Sequence, residues 1–204
     1  MNIDVPLREL GPINNEALSE KILSLNDEAW NENSSRQEEF EVHRATESIV
    51  MVFVNIDRWP EIEVTKEAGW DHLAELALPL MNDIIERCYP PGGTVIRAMA
   101  AKLLSGKKII QHWDKHPSFH CGHRIHVPIT TNPRVRFMID GQPYQFKVGE
   151  AYEINNQKNH SVMNKGKDDR ITFIFDYSLN TRYKSTAIPR FYITLMSIEL
   201  TLSK

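Results

Sequence analysis

The sequence predicts a mainly β protein of the α+β class: a sandwich, jelly roll or barrel of short strands with helical segments laid against one sheet. Three observations predict it. After Gly93 the chain breaks into eight short runs of β character, at 94–104, 108–114, 124–130, 135–139, 143–147, 150–154, 160–164 and 170–177. Turn pairs such as Asn132-Pro133, Asp140-Gly141 and Lys165-Gly166 separate them, and short, evenly punctuated strands are the mark of such architectures. Before Gly93, two longer stretches carry apolar residues at helical spacing instead. A length of 204 residues fits one domain with extensions, at roughly 100–200 residues per domain. Residues 1–93 then form helical and first-strand support, 94–177 a core, and 178–204 a C-terminal extension.

The elements follow in order. Residues 14–31 read as one amphipathic helix with Leu18, Ile22, Leu25 and Ala29 on a stripe, and 31–41 as a polar loop. Residues 48–55 (SIVMVFVN) are apolar and β-branched, a buried strand. Residues 69–88 are helical, with Leu73, Ala77, Met81, Ile84 and Cys88 on one face. Pro79 lies inside that stretch and should kink or split it, because proline has no N–H for the helix ladder. Tyr89-Pro90-Pro91-Gly92-Gly93 is a turn before the strands begin. The tail from Arg190 to Leu202 is apolar and ambiguous between strand and helix.

Composition narrows the function. A formal net charge of −3 excludes a strongly basic nucleic-acid binder. Two cysteines make no disulfide framework, so a reduced, cytoplasmic setting is expected. The first residues have no signal-peptide core, and no apolar run reaches the roughly 18 residues of a membrane helix. Most of the eight histidines crowd into residues 112–126.

One constellation carries chemistry. In QHWDKH, His112 and Asp114 are two apart, so a strand would present both on one face. His160 opens a later strand and is the natural third ligand. Two imidazoles and one carboxylate on one face of a metal leave three positions open, the arrangement of non-haem Fe(II) oxygenases. Ten residues after His160, Arg170 starts RITFIFDY. Its planar fork suits a carboxylate, as a dicarboxylic co-substrate would need.

These stretches resemble the aspartyl/asparaginyl β-hydroxylase family, which is similar to the bacterial free-proline hydroxylases. The matching residues are His112-Trp113-Asp114, Arg124-Ile125-His126-Val127-Pro128, His160-Ser161-Val162-Met163-Asn164, and Arg170. The resemblance implies a double-stranded β-helix, or jelly-roll, core of cupin-like type. It implies an Fe(II)- and 2-oxoglutarate-dependent dioxygenase that hydroxylates a C–H of an amino acid, free or within a peptide, using O₂ and releasing succinate and CO₂. It further implies His112, Asp114 and His160 as iron ligands and Arg170 as anchor of the distal carboxylate of 2-oxoglutarate. Arg124 and His126 would steady the carboxylate nearest the metal. Retention of Asp114 places the chain near the proline-hydroxylase branch and argues against halogenation. Asn156 and Asn164 are candidates to orient the ligand histidines.

Other features carry weaker signals. HPSFHCGH, with His116, His120, Cys121 and His123, offers zinc-type ligands, and equally a loop rimming the site. Trp113 should point away from the ligands into the core. His43 and Arg44 are candidates for substrate binding at the pocket mouth, and Trp59 for part of a pocket lid. Arg124 and His126 also read as a solvated arginine and a packed histidine. Two rival functions stand: a cupin-type metalloenzyme without 2-oxoglutarate, and a non-catalytic metal or small-molecule binder on the same fold.

Overall fold

The computed structural model describes residues 3–32 and 45–179. The chain runs β1 (Leu7–Pro12), α1 (Glu16–Ser24), α2 (Asp27–Asn31), β2 (Thr46–Val54), β3 (Val64–Lys66) and α3 (Gly69–Cys88). It continues with β4 (Thr94–Leu103), β5 (Lys108–His112), β6 (Gly122–Pro128), β7 (Val135–Ile139), β8 (Gln142–Tyr144), β9 (Glu150–Ile154), β10 (His160–Asn164) and β11 (Arg170–Ser178). A seven-stranded sheet has the order β1-β9-β6-β11-β4-β2-β3, and a four-stranded sheet the order β5-β10-β7-β8. All their pairings are antiparallel.

The two faces of the large sheet bury different things, because successive side chains on a strand alternate. Its outer face meets the helices: Phe173 and Phe175 of β11 and Ile125 and Val127 of β6 pack with Leu18, Ile22, Leu73, Ala77, Met81 and Ile84. Each fully buried aliphatic or aromatic side chain stabilises the layer by about 1.5–3 kcal/mol. The inner face meets the small sheet through Leu103, Phe137, Ile139, Phe146, Tyr152, Ile154 and Val162. Phe146 stacks on Phe137 at 4.7 Å and on Tyr152 at 4.6 Å between ring centroids. The interior between the sheets is where Arg124, His126, Arg170 and Asp176 point, in antiphase to the outward apolar residues of β6 and β11.

The jelly-roll expectation and the helical buttress therefore hold, and the reading of the helices is revised in two places. The first helix is two: Leu25 turns extended, and the Asn26 side chain accepts the Ala29 N–H to start α2. Pro79 does not split α3, which is continuous over Gly69–Cys88. The missing proline N–H costs about 3 kcal/mol, and the buried stripe Leu73, Ala77, Leu80, Met81 and Ile84 outweighs it. The short strands β1 and β3 lengthen the large sheet at its two edges, where the sequence gives no run long enough to announce them. Asp140-Gly141 forms the expected hairpin between β7 and β8: both have positive φ, 52° and 77°, the geometry of a two-residue I′ turn. The apolar tail, His43 and Arg44 lie outside the described residues, as does most of the polar loop. No helix of the described residues is long and apolar enough to cross a membrane.

Candidate functional site

His112 ends β5 and His160 opens β10, and the two are direct cross-strand partners. Their ring centroids are 4.3 Å apart. Each ring is oriented by the backbone two residues earlier: His112 Nδ1 lies 2.8 Å from the Ile110 carbonyl and His160 Nδ1 2.9 Å from the Lys158 carbonyl. A carbonyl only accepts, so each Nδ1 donates and each Nε2 keeps its lone pair for a metal. Burial, and then neighbouring His112, lower the His160 pKa against the opposing pull of Asp114, which favours the neutral imidazole that ligation requires.

Asp114 lies beyond the end of β5, so the shared strand face expected for the pair is not what brings them together. The Asp114 N–H donates to the Asn156 carbonyl at 3.0 Å, and Gln157 Nε2 donates to the Asp114 carbonyl at 3.0 Å. The loop after β9 thus swings the carboxylate to the histidines, with Oδ1 3.9 Å from His112 Nε2. Ligand atoms of His112, Asp114 and His160 all lie within 4.8 Å of one another. Ligands bound to one ion at about 2.1 Å lie roughly 3–4 Å apart, a small side-chain adjustment from this spread. Two neutral imidazoles and one carboxylate fit a divalent ion with open positions. Among the described residues this is the one His/Cys/Asp/Glu group close enough to hold a metal.

Arg124 turns to protein carboxylates. Nη1 reaches Asp114 Oδ2 at 2.5 Å, while Nε and Nη2 grip both oxygens of Asp176 at 2.8 Å each. Two of its five N–H groups remain, one on each terminal nitrogen. These carboxylates outweigh burial and raise its pKa. Arg97 adds a bond from Nη1 to Asp176 Oδ2 at 3.2 Å and another from Nη2 to Ser118 Oγ.

Deeper in the barrel, both ring nitrogens of His126 and one nitrogen of Arg170, Nη2, are buried with no hydrogen-bond partner among the described residues. Phe137 and Phe146 present ring edges to His126 at 5.7 and 5.9 Å, and the Arg170 guanidinium lies 5.6 Å from the Phe137 ring. Burial, then the charges of Arg170 and Arg124, push the His126 pKa well below its ordinary value. Burial lowers that of Arg170 to about 10, so it stays charged at neutral pH. Native interiors rarely leave such groups unpaired. A cavity of about 430 Å³, lined by Arg170, Phe137, Phe146, Tyr144 and Lys147 among others, reaches the arginine from the barrel end away from His112 and His160.

Several expectations about the surroundings change. Trp113 is 40% exposed rather than in the core. His123 is bound to the buried Glu153, and His116 to Ser118, so HPSFHCGH assembles no second metal cluster among the described residues. Trp59 sits edge-on to His116, 6.0 Å between centroids. Asn164 spends its side chain on the Leu103 and Asp168 carbonyls and the Gly166 N–H, shaping the turn before Arg170. Sequence reasoning missed Asp176 and Arg97. The signal was there: each is a charge set among apolar neighbours in a strand, and Asp176 shares the inward phase of Arg170.

A jelly roll with two imidazoles and a carboxylate between its sheets defines the class: this is the fold of the 2-oxoglutarate-Fe(II) oxygenases and hydroxylases. The chain belongs to the aspartyl/asparaginyl beta-hydroxylase family, whose model matches residues 13–179. Similar solved structures include the non-heme monooxygenase ThoJ as its nickel complex, 14% identical with a TM-score of 0.53 over 85% of this chain and 73% of that one. A prolyl hydroxylase from Trichoplax adhaerens, in complex with a hypoxia inducible factor peptide fragment, is 12% identical with a TM-score of 0.52 over 85% and 83%. A 2OG-Fe(II) oxygenase family oxidoreductase from Burkholderia pseudomallei is 10% identical with a TM-score of 0.50 over 67% and 69%. No curated protein sequence matches this chain.

Proposed function

We propose that this protein is an Fe(II)- and 2-oxoglutarate-dependent dioxygenase that hydroxylates a C–H of an amino acid, free or within a peptide. His112, Asp114 and His160 are the metal ligands. Arg170 anchors the distal carboxylate of 2-oxoglutarate. His126 and the free N–H groups of Arg124 serve the carboxylate nearest the metal. The observation that carries this reading is the pair of orphaned buried groups, Arg170 Nη2 and the His126 ring, inside the same barrel as the His112, Asp114 and His160 cluster.

When bound, iron and 2-oxoglutarate supply oxidation of a substrate C–H by O₂, coupled to release of succinate and CO₂. The chain's own work is positioning and charge. The Nδ1 hydrogen bonds of His112 and His160 aim both Nε2 atoms at one point. Arg170 supplies the positive charge that a dianionic acid needs in a site walled by Phe137 and Phe146, where Coulomb attraction is stronger than in water. The stacked Phe137, Phe146 and Tyr152 rings give the surroundings of Arg170 an apolar wall.

The test is an anaerobic titration of 2-oxoglutarate into the Fe(II)-loaded protein, followed in the visible spectrum. A weak charge-transfer band is expected for the wild type. It should vanish in His112→Ala and need far more co-substrate in Arg170→Ala. No band despite stoichiometric iron would sink the 2-oxoglutarate assignment. An Arg170→Ala enzyme of undiminished activity would favour the cupin-type rival, and absence of metal uptake the non-catalytic binder. Succinate release across a panel of amino acids and peptides then identifies the substrate.

A further inference from the structure

We propose that Asp176 is a positioning residue that sets how Asp114 meets the metal, acting through Arg124. The inference rests on His112, Asp114 and His160 being the metal site. Its basis is a row of charges fixed by strand register. Asp176 of β11 lies directly opposite Arg124 of β6 and opposite Arg97 of β4. All three point between the sheets, and Asp176 and Arg97 are each only 2% exposed. Two cross-strand arginines therefore converge on one carboxylate.

Each bond in the row restricts the next. Asp176 takes the Nε and Nη2 hydrogens of Arg124 as a two-pronged grip, both at 2.8 Å, and one from Arg97 at 3.2 Å. That grip fixes the plane of the Arg124 guanidinium. The Phe119 ring lies 4.7 Å from the Arg124 guanidinium and 4.0 Å from that of Arg97, against both forks. With the plane fixed, Nη1 lands on Asp114 Oδ2. Oδ1 is left to face His112 Nε2. Asp114 thus offers the metal one oxygen and occupies one position, keeping three open. Two cations and two carboxylates also balance within the row, so no net charge is buried with it.

Without Asp176 the Arg124 fork loses its grip, and Asp114 is no longer held with Oδ1 toward the two histidines. The test uses Co(II) as a spectroscopic probe in the full chain, comparing the wild type with Asp176→Asn, Arg124→Lys and His112→Ala. Far-UV circular dichroism and metal-free melting report folding separately. Asp176→Asn is expected to bind Co(II) about 10–100-fold more weakly, as for other groups that orient ligands, with an altered visible d–d spectrum. Arg124→Lys keeps the charge and loses the fork, so it should show the same changes. Wild-type affinity and spectrum in a folded Asp176→Asn or Arg124→Lys protein would overturn the inference. Wild-type Co(II) binding in His112→Ala would instead overturn the metal-site reading beneath it. Should neither row variant fold, a crystal structure of the Co(II)-loaded wild type decides. Asp114 bound through Oδ1 alone, with Oδ2 on Arg124, supports the inference, and binding through both oxygens refutes it.

Discussion

His126 shows at the scale of one residue how a site is kept ready at a cost. Its imidazole is buried, unpaired and flanked by positive charge, so its folded pKa is depressed. In the unfolded chain it protonates near the usual value of about 6.5. A group depressed in the folded state contributes stability that is present above the unfolded pKa and lost as pH falls below it. The metal-free protein should therefore lose melting temperature between pH 7.5 and 5.5. His126→Gln, which removes this proton, should lose less over the same interval, as scanning calorimetry would measure. Equal losses in the two proteins would show that His126 does not govern this window. Arg170 carries a related cost, since its Nη2 is buried without a hydrogen bond among the described residues.

At the scale of elements, close approach is what seats α3. A Cβ on Gly69 would meet the Val50 carbonyl oxygen at 2.5 Å and an Ile49 methyl at 2.7 Å, both on β2. Gly69→Ala must push the helix off the sheet or twist its first turn. We expect a loss of about 1–3 kcal/mol, the usual cost of overpacking. For a chain of this size that is roughly 2–4 °C of melting temperature per kcal/mol. An unchanged melting curve would show that α3 slides freely on β2. The pairing of β5 with β10 works at the same scale for the site, since their register places His112 opposite His160. A one-residue slip would turn every side chain of one strand to the other face and break the cluster.

The whole molecule joins its two sheets at the site. His112 and His160 belong to the small sheet, Asp114 to the loop held by Asn156, and the Arg124–Asp176 row to the large sheet. A metal bound there favours the folded chain over the unfolded one, in which these residues are far apart. At 100 times its dissociation constant, such a ligand stabilises by about 2.7 kcal/mol. Addition of Mn(II) or Co(II) should then raise the melting temperature by roughly 5–10 °C, reversibly with a chelator. His112→Ala should show no rise. A rise of equal size in that variant would place the bound ion elsewhere.

Much of this was legible in the sequence, because the signals were local. Strand alternation, the Asp140-Gly141 hairpin and the apolar stripe of α3 follow from side-chain periodicity and turn chemistry acting over a few residues. The order His112, Asp114, Arg124, His126, His160 and Arg170 carried the family. What the tertiary structure alone decided was which groups meet. It put Asp114 in place through a loop rather than a strand, turned Trp113 to solvent, and kept α3 whole across Pro79. It also gave Asp176 its two arginines. The physical reason is register: Asp176 is 52 residues from Arg124 and 79 from Arg97, and only the sheet's hydrogen bonding fixes which buried charge stands opposite which.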